Sequence, residues 1–157
     1  MKITSPAFSP GGPIPQKFTC EGQNVSPALS WSEAPKEAKS FVLILHDPDA
    51  PAKNGFTHWV VFNIPSNVNH IDENVSPHPS IQGLGQQGKN DSGKVGYMGP
   101  CPPSGKHRYY ARLYALRAEL ELKPNATYAD VIAAMQGKII EEAELMGTYA
   151  KTGQKAA

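Results

Sequence analysis

Two histidines stand at the heads of apolar runs. His58 opens "THWVVFNIP" (57–65) and His107 opens "HRYYARLYAL" (107–116). Side chains alternate between faces in a strand. His58 therefore falls with Val60, Phe62 and Ile64, and His107 with Tyr109, Ala111, Leu113 and Ala115. Both imidazoles are expected on inward-facing positions. A third run, "SFVLILHD" (40–47), ends in Asp47, and the connection "HDPDAPAKNGFTHW" (46–59) adds Asp49. If the runs at 40–47 and 57–65 pair as neighbours, Asp47, Asp49 and His58 gather at one end of a sheet. His107 joins them if its strand runs parallel to that of His58. A carboxylate beside an imidazole fixes its tautomer and favours its protonated form.

Paired imidazoles, a tyrosine hydroxyl and loop amides are mostly donors at moderate pH, so they suit a small anion such as phosphate. Two other chemistries use the same residues. Two histidines and an aspartate could hold a metal facially. Cys101 or Ser104 could act as a nucleophile with His107 as base. Hydrolysis has little support, because no G-x-S-x-G, H-E-x-x-H or Walker sequence occurs. Each residue also has a plain structural reading: acidic turn formers for Asp47 and Asp49, satisfied core histidines for His58 and His107. The combination favours a binding site, with no metal and no cofactor expected.

The elements that must position these residues are mostly strands. The run 40–47 is apolar on both faces, as a central strand requires. Weaker strands are expected near 2–7, 16–19 and 27–31, and a long loop over 74–98. Fifteen prolines and fourteen glycines punctuate the whole chain rather than pooling in a linker, which points to one mainly β domain over residues 1–157. The last part, 125–149, reads as a helix. Thr127 and Asp130 make a capping-box start. Tyr128, Ile132, Met135, Ile139, Ala143 and Met146 form an apolar stripe, and Gly147 is a stop.

Fifteen basic against fourteen acidic residues give a net charge of +1, with no basic stripe for nucleic acid. No apolar run is long enough for a transmembrane helix, and no secretory signal is expected from the opening "MKITSPAFSPGG". Cys20 and Cys101 are far apart in sequence and lack any CxxC pattern, so the expectation is two reduced thiols in a cytoplasmic protein.

"DPDAP" (47–51), "HWVVFNIP" (58–65) and "GPCPPSGKHRYYARLYAL" (99–116) resemble the phosphatidylethanolamine-binding, or Raf kinase inhibitor, protein family. "CEGQNVSPALSW" (20–31) and "AELMGTY" (143–149) are similar to its compact bacterial and archaeal branch. The resemblance implies a Greek-key β-sandwich with a C-terminal helix and an anion pocket at one end of the large sheet. It places Asp47, His58, Pro100, His107 and Tyr109 in the pocket, with Asp49 and Trp59 in the matching motif. Gly99, Cys101, Ser104, Gly105 and Lys106 are the loop residues able to offer amides, since proline has none. The ligand implied is phosphate or a phospholipid headgroup. Relatives that regulate kinases or inhibit serine proteases imply such a partner as the alternative role, and the tendency of compact relatives to pair implies a homodimer.

Overall fold

The computed structural model describes residues 1–152. Its strands are β1 (Lys2–Thr4), β2 (Leu29–Ser32), β3 (Ser40–Asp47), β4 (Phe56–Pro65), β5 (His70–Ile71), β6 (Ser80–Ile81), β7 (Gly85–Gln87), β8 (His107–Leu116) and β9 (Ile139–Tyr149). One α-helix, α1 (Tyr128–Met135), precedes β9. The small sheet has the order β1-β2-β5 and the large one β6-β7-β4-β3-β8-β9. Every strand pair within them is antiparallel. After β4 the chain passes through the small sheet at β5 and returns to place β8 beside β3, a Greek-key excursion.

Burial explains the arrangement. Every residue of β3 is buried, so this strand is covered on both faces as its sequence requires. One face carries Phe41, Leu43 and Leu45, which pack with Trp59, Val61, Tyr109, Ala111 and Leu113 against Ile3, Leu29, Trp31 and Ile71 of the small sheet. The other face carries Val42 and Ile44, which pack with Val60, Phe62 and Leu116 beneath Val131 and Met135 of α1. Asp47 continues the first face at the end of β3, and His107 and Tyr109 continue it at the start of β8. Because β4 and β8 are both antiparallel to β3, they run parallel to each other. That orientation brings the beginnings of β4 and β8 to the end of β3.

Four expectations are corrected. The helix expected over 125–149 is two elements. Its capping box is present at Thr127 and Asp130, but the helix ends at Met135, and Gly137 turns the chain at φ +77°. Beyond it, Ala143, Leu145, Gly147 and Tyr149 alternate toward β8's inward face, and β9 pairs with β8 along its length. Gly147 is no helix stop. It lies opposite Tyr109, and a Cβ there would come within 2.7 Å of Phe8 and Ile14 side-chain atoms. The weak strand near 16–19 is a single 3-10 turn, Gln16–Phe18, after Pro15. The loop at 74–98 contains the short hairpin β6–β7.

The fourth correction concerns the cysteines. Cys20 and Cys101 are not free thiols but a disulfide, with Cα atoms 5.4 Å apart and 81 residues between them in sequence. By the chain-entropy argument a loop of that size stabilises by up to about 4.5 kcal/mol. Reduced thiols were one ground for expecting a cytoplasmic location, and the disulfide removes that ground. No helix among the described residues is long and apolar enough to cross a membrane.

Candidate anion-binding site

The spacing of β4 contains a device that strand parity does not predict. Leu45 pairs with Trp59 and His46 with Thr57, so one step on β3 spans two on β4. His58 is the extra residue of a β-bulge, which re-aims a side chain at a strand end. Thr57 meets His46 on the helix side, its hydroxyl 3.0 Å from His46 Nδ1. His58 instead turns to the sandwich side, the side of Trp59, and its ring lies edge-on to Tyr109 at 5.3 Å. The grouping of His58 with Val60 and Phe62 is thereby corrected, because those two pack under α1. The bulge's backbone is satisfied by neighbouring loops: Thr57 N donates to Asp91 Oδ2 at 2.7 Å, and Met98 N donates to the His58 carbonyl at 3.0 Å.

The result is a pocket of about 290 Å³ lined by Asp47, Ala50, Pro51, Phe56, His58, Met98, Cys101, Pro102, Pro103, His107 and Tyr109. Asp47, His58, His107 and Tyr109 are 2%, 5%, 7% and 1% exposed, so its polar groups are held in a low-dielectric setting. His107 Nδ1 donates to Asp47 Oδ2 at 2.7 Å. Asp47 Oδ1 accepts the Asp49 amide at 2.8 Å, which fixes the carboxylate. His58 Nδ1 lies 2.7 Å from the Met98 carbonyl, which can only accept, so this nitrogen carries the proton. Among the described residues, both imidazoles thus leave Nε2 without a hydrogen-bond partner. The Tyr109 ring packs near both, 5.3 Å from His58 and 6.4 Å from His107 between centroids. Its hydroxyl is buried and makes no hydrogen bond of good geometry. Burial holds that hydroxyl protonated, and the nearby Asp47 charge adds to the effect.

Burial also pushes the His58 pKa below the usual imidazole range, against the opposing Met98 carbonyl and Asp47 charge. His46 shifts the same way for the same reason, opposed by the Asn54 backbone. Both rings are neutral in the folded protein at a pH where the unfolded chain protonates them. Their contribution to stability is therefore complete above the unfolded value, about 6.5, and is lost as pH falls toward the folded values. Urea midpoints are expected to decline on going from neutral pH toward pH ~5. Substituting His46→Gln should flatten that decline; an unchanged slope would contradict the assignment.

The remaining sequence candidates are placed differently. Asp49 does not face the ligand space: both its oxygens take Arg108, at 2.7 Å from Nη2 and 2.9 Å from Nε, and this pairing lowers its pKa to about 2. It ties the connection after β3 to β8. Trp59 is a core residue whose Nε1 donates to Gln87 Oε1 at 2.7 Å, outside the pocket lining. Pro100 and Gly99 are buried behind the rim. The Pro100 carbonyl accepts from Cys20 N at 3.1 Å, and Gly99 N donates to Asn24 Oδ1 at 2.8 Å, so that amide is already used. Ser104, Gly105 and Lys106 are exposed and outside the lining, whereas Cys101 is part of it. The expected walls, residues 99–106 and "DPDAP", line the pocket through Cys101, Pro102, Pro103, Asp47, Ala50 and Pro51. Reasoning from the sequence missed Phe56 and Met98, which nothing local marks as lining residues.

Fold and pocket together define an antiparallel β-sandwich protein with a small histidine-and-carboxylate pocket at one end of its large sheet. The family described as phosphatidylethanolamine-binding protein matches residues 4–150, and the chain belongs to that family. Among its relatives, a UPF0098 protein of Methanothermobacter thermautotrophicus is 51% identical over 149 residues, covering 95% of this chain and 98% of that protein. Two crystal structures are similar throughout. A putative phosphatidylethanolamine-binding protein homolog from Chlamydia trachomatis has a TM-score of 0.87 at 44% identity, over 96% of this chain and 97% of that one. E. coli YbcL, described as a new member of the mammalian family, has a TM-score of 0.88 at 31% identity, over 96% and 98%.

Proposed function

We propose that this protein is a non-catalytic binder of a small phosphate-type anion, free or as a phospholipid headgroup of the phosphoethanolamine kind. The observation that carries the reading is the convergence of polar groups in one pocket. His58 and His107 each commit Nδ1 to the protein, and the buried Tyr109 hydroxyl lies near the Asp47 carboxylate but, among the described residues, makes no hydrogen bond of good geometry. A buried hydroxyl held only by a poorly aligned contact is costly, and a bound oxyanion would relieve it. Neutral His58 presents a bare Nε2, so it donates to an anion only after gaining a proton, or accepts one from a protonated phosphate. The Asp47 carboxylate orients His107 and offers a counter-charge for a ligand amine. The apolar wall suits the carbon portion of a headgroup. The volume lies at the small end for ligand pockets, which favours a headgroup over whole acyl chains. A non-catalytic role is supported by the candidate nucleophiles: Cys101 is spent in a disulfide and Ser104 lies outside the lining.

The test is an NMR titration of the histidine ring signals with phosphate and with phosphoethanolamine. Both His58 and His107 are expected to shift, and the Trp59 indole, bonded to Gln87, is not. If neither histidine moves at millimolar ligand, the reading is wrong.

A further inference from the structure

His46 does not line the pocket, yet it is a buried imidazole directly before Asp47. It continues the helix-side row of Val42 and Ile44 on β3, stacked on the Tyr128 ring of α1 at 5.5 Å with 19° between the planes. Its Nδ1 meets the Thr57 hydroxyl at 3.0 Å. Its Nε2 faces the turn before β4, where a Cβ on Gly55 would come within 2.8 Å of it. Thr57 is buried, and Asp91 fixes its backbone as well: Thr57 N donates to Asp91 Oδ2 at 2.7 Å, and Asp91 N donates to the Thr57 carbonyl at 2.9 Å. Two registers are available to this end of β4. Without the bulge, the residue opposite His46 would be His58, and alternation would put its ring on the helix side, away from Tyr109. The observed register sets Thr57 against His46 and leaves His58 as the extra residue, edge-on to Tyr109. The space over His46, closed by Tyr128 and the Gly55 turn, holds a hydroxyl in one case and would have to hold a second imidazole in the other.

We infer that His46 is a positioning residue for the pocket on the other face of the sheet: its hydrogen bond to Thr57 selects the bulged register and so aims His58 at the ligand. This rests on the anion-binding reading above. The contacts are contiguous. Tyr128 lies on His46, His46 bonds Thr57, and Thr57 is joined through the backbone to His58. His58 in turn meets Met98 twice, with its carbonyl accepting from Met98 N at 3.0 Å and its Nδ1 donating to the Met98 carbonyl at 2.7 Å. Losing the His46–Thr57 bond leaves a buried polar group short of its partner and removes what distinguishes the bulged register on the helix side. Molecules in the other register present no His58 Nε2 to an anion. Apparent affinity therefore falls with the fraction of molecules that keep the bulge.

The experiment measures inorganic phosphate binding by calorimetry and the ring contacts of His58 by proton NMR. Thr57→Val keeps the side-chain shape and removes the hydroxyl. It is expected to weaken phosphate about tenfold and to replace the His58–Tyr109 ring contact with one to Tyr128. Thr57→Ser retains the hydroxyl and should stay within about twofold of the unaltered protein. His46→Phe keeps the stack on Tyr128 and removes Nδ1, so it should reproduce Thr57→Val and stands in for it if that variant folds poorly. In a His58→Ala background neither change should weaken binding further, because both act through His58. Met135→Ala costs core packing under α1 without touching the bulge and should bind phosphate normally. Unaltered affinity with an intact His58–Tyr109 contact in Thr57→Val and His46→Phe overturns the inference, as does an equal loss of affinity in Met135→Ala. If the ring contact moves but neither variant nor unaltered protein binds phosphate, the anion reading fails and the positioning of His58 stands.

Discussion

Replacing His107 with alanine is expected to weaken phosphate binding at least about thirtyfold, equivalent to about 2 kcal/mol. The size of the effect comes from two losses. The imidazole Nε2 disappears, and Asp47, which is 2% exposed and gives Oδ2 to His107 Nδ1, is left as a buried carboxylate without its partner. That uncompensated charge then faces the incoming anion. A second substitution separates the two losses. In a His107→Ala, Asp47→Asn double variant the repelling charge is gone, so part of the affinity should return. The single change Asp47→Asn keeps an acceptor for His107 and removes the charge. It should weaken phosphoethanolamine relative to phosphate, because only the former has an amine for the carboxylate. Isothermal titration calorimetry of these variants with both ligands decides the matter. Wild-type affinity in His107→Ala would exclude the pocket as the binding site.

The second large effect is expected at Gly99. A Cβ there would lie 2.2 Å from the Phe18 carbonyl oxygen and 2.4 Å from Asn24 Oδ1. The first is backbone that cannot rotate away, so Gly99→Ala must push the two segments apart. The expected cost is about 3 kcal/mol, read as a Tm lower by roughly 6–12 °C. The damage should reach the pocket, because the next residue back, Met98, supplies the carbonyl that holds His58. Gly105 is the contrast. It has φ +69° with nothing within 4 Å, so Gly105→Ala meets only the left-handed backbone penalty, about 1–2 kcal/mol. If Gly105→Ala proved the more damaging, the close approach at Gly99 would not be what holds the rim.

Much of the frame was legible because it depends on local pattern. Dense apolar runs marked β3, β4 and β8, and alternation placed His107 and Tyr109 on one inward face. Asp47 was identifiable as the last residue of a fully covered strand. The helix at the end of the chain was read too long for an instructive reason. Ile139, Ala143 and Met146 satisfy helical spacing, while Ala143, Leu145, Gly147 and Tyr149 satisfy strand alternation. Pairing with β8 chose the second pattern, and Gly137 gave the turn between the two.

By itself, then, the sequence determined the three core strands, the inward face of β8, the capped start of α1, and the residue types that meet at one sheet end. Those features follow from apolarity, periodicity and capping, which act between near neighbours. Tertiary structure alone decided that His58 sits on a bulge and so turns toward Tyr109, that Asp49 is taken by Arg108, and that Trp59 serves the core through Gln87. It also decided that Cys20 and Cys101 are joined across 81 residues. Each of these rests on register or on contact between segments distant in the chain, and a strand's own residues do not encode where its partner will place an extra residue.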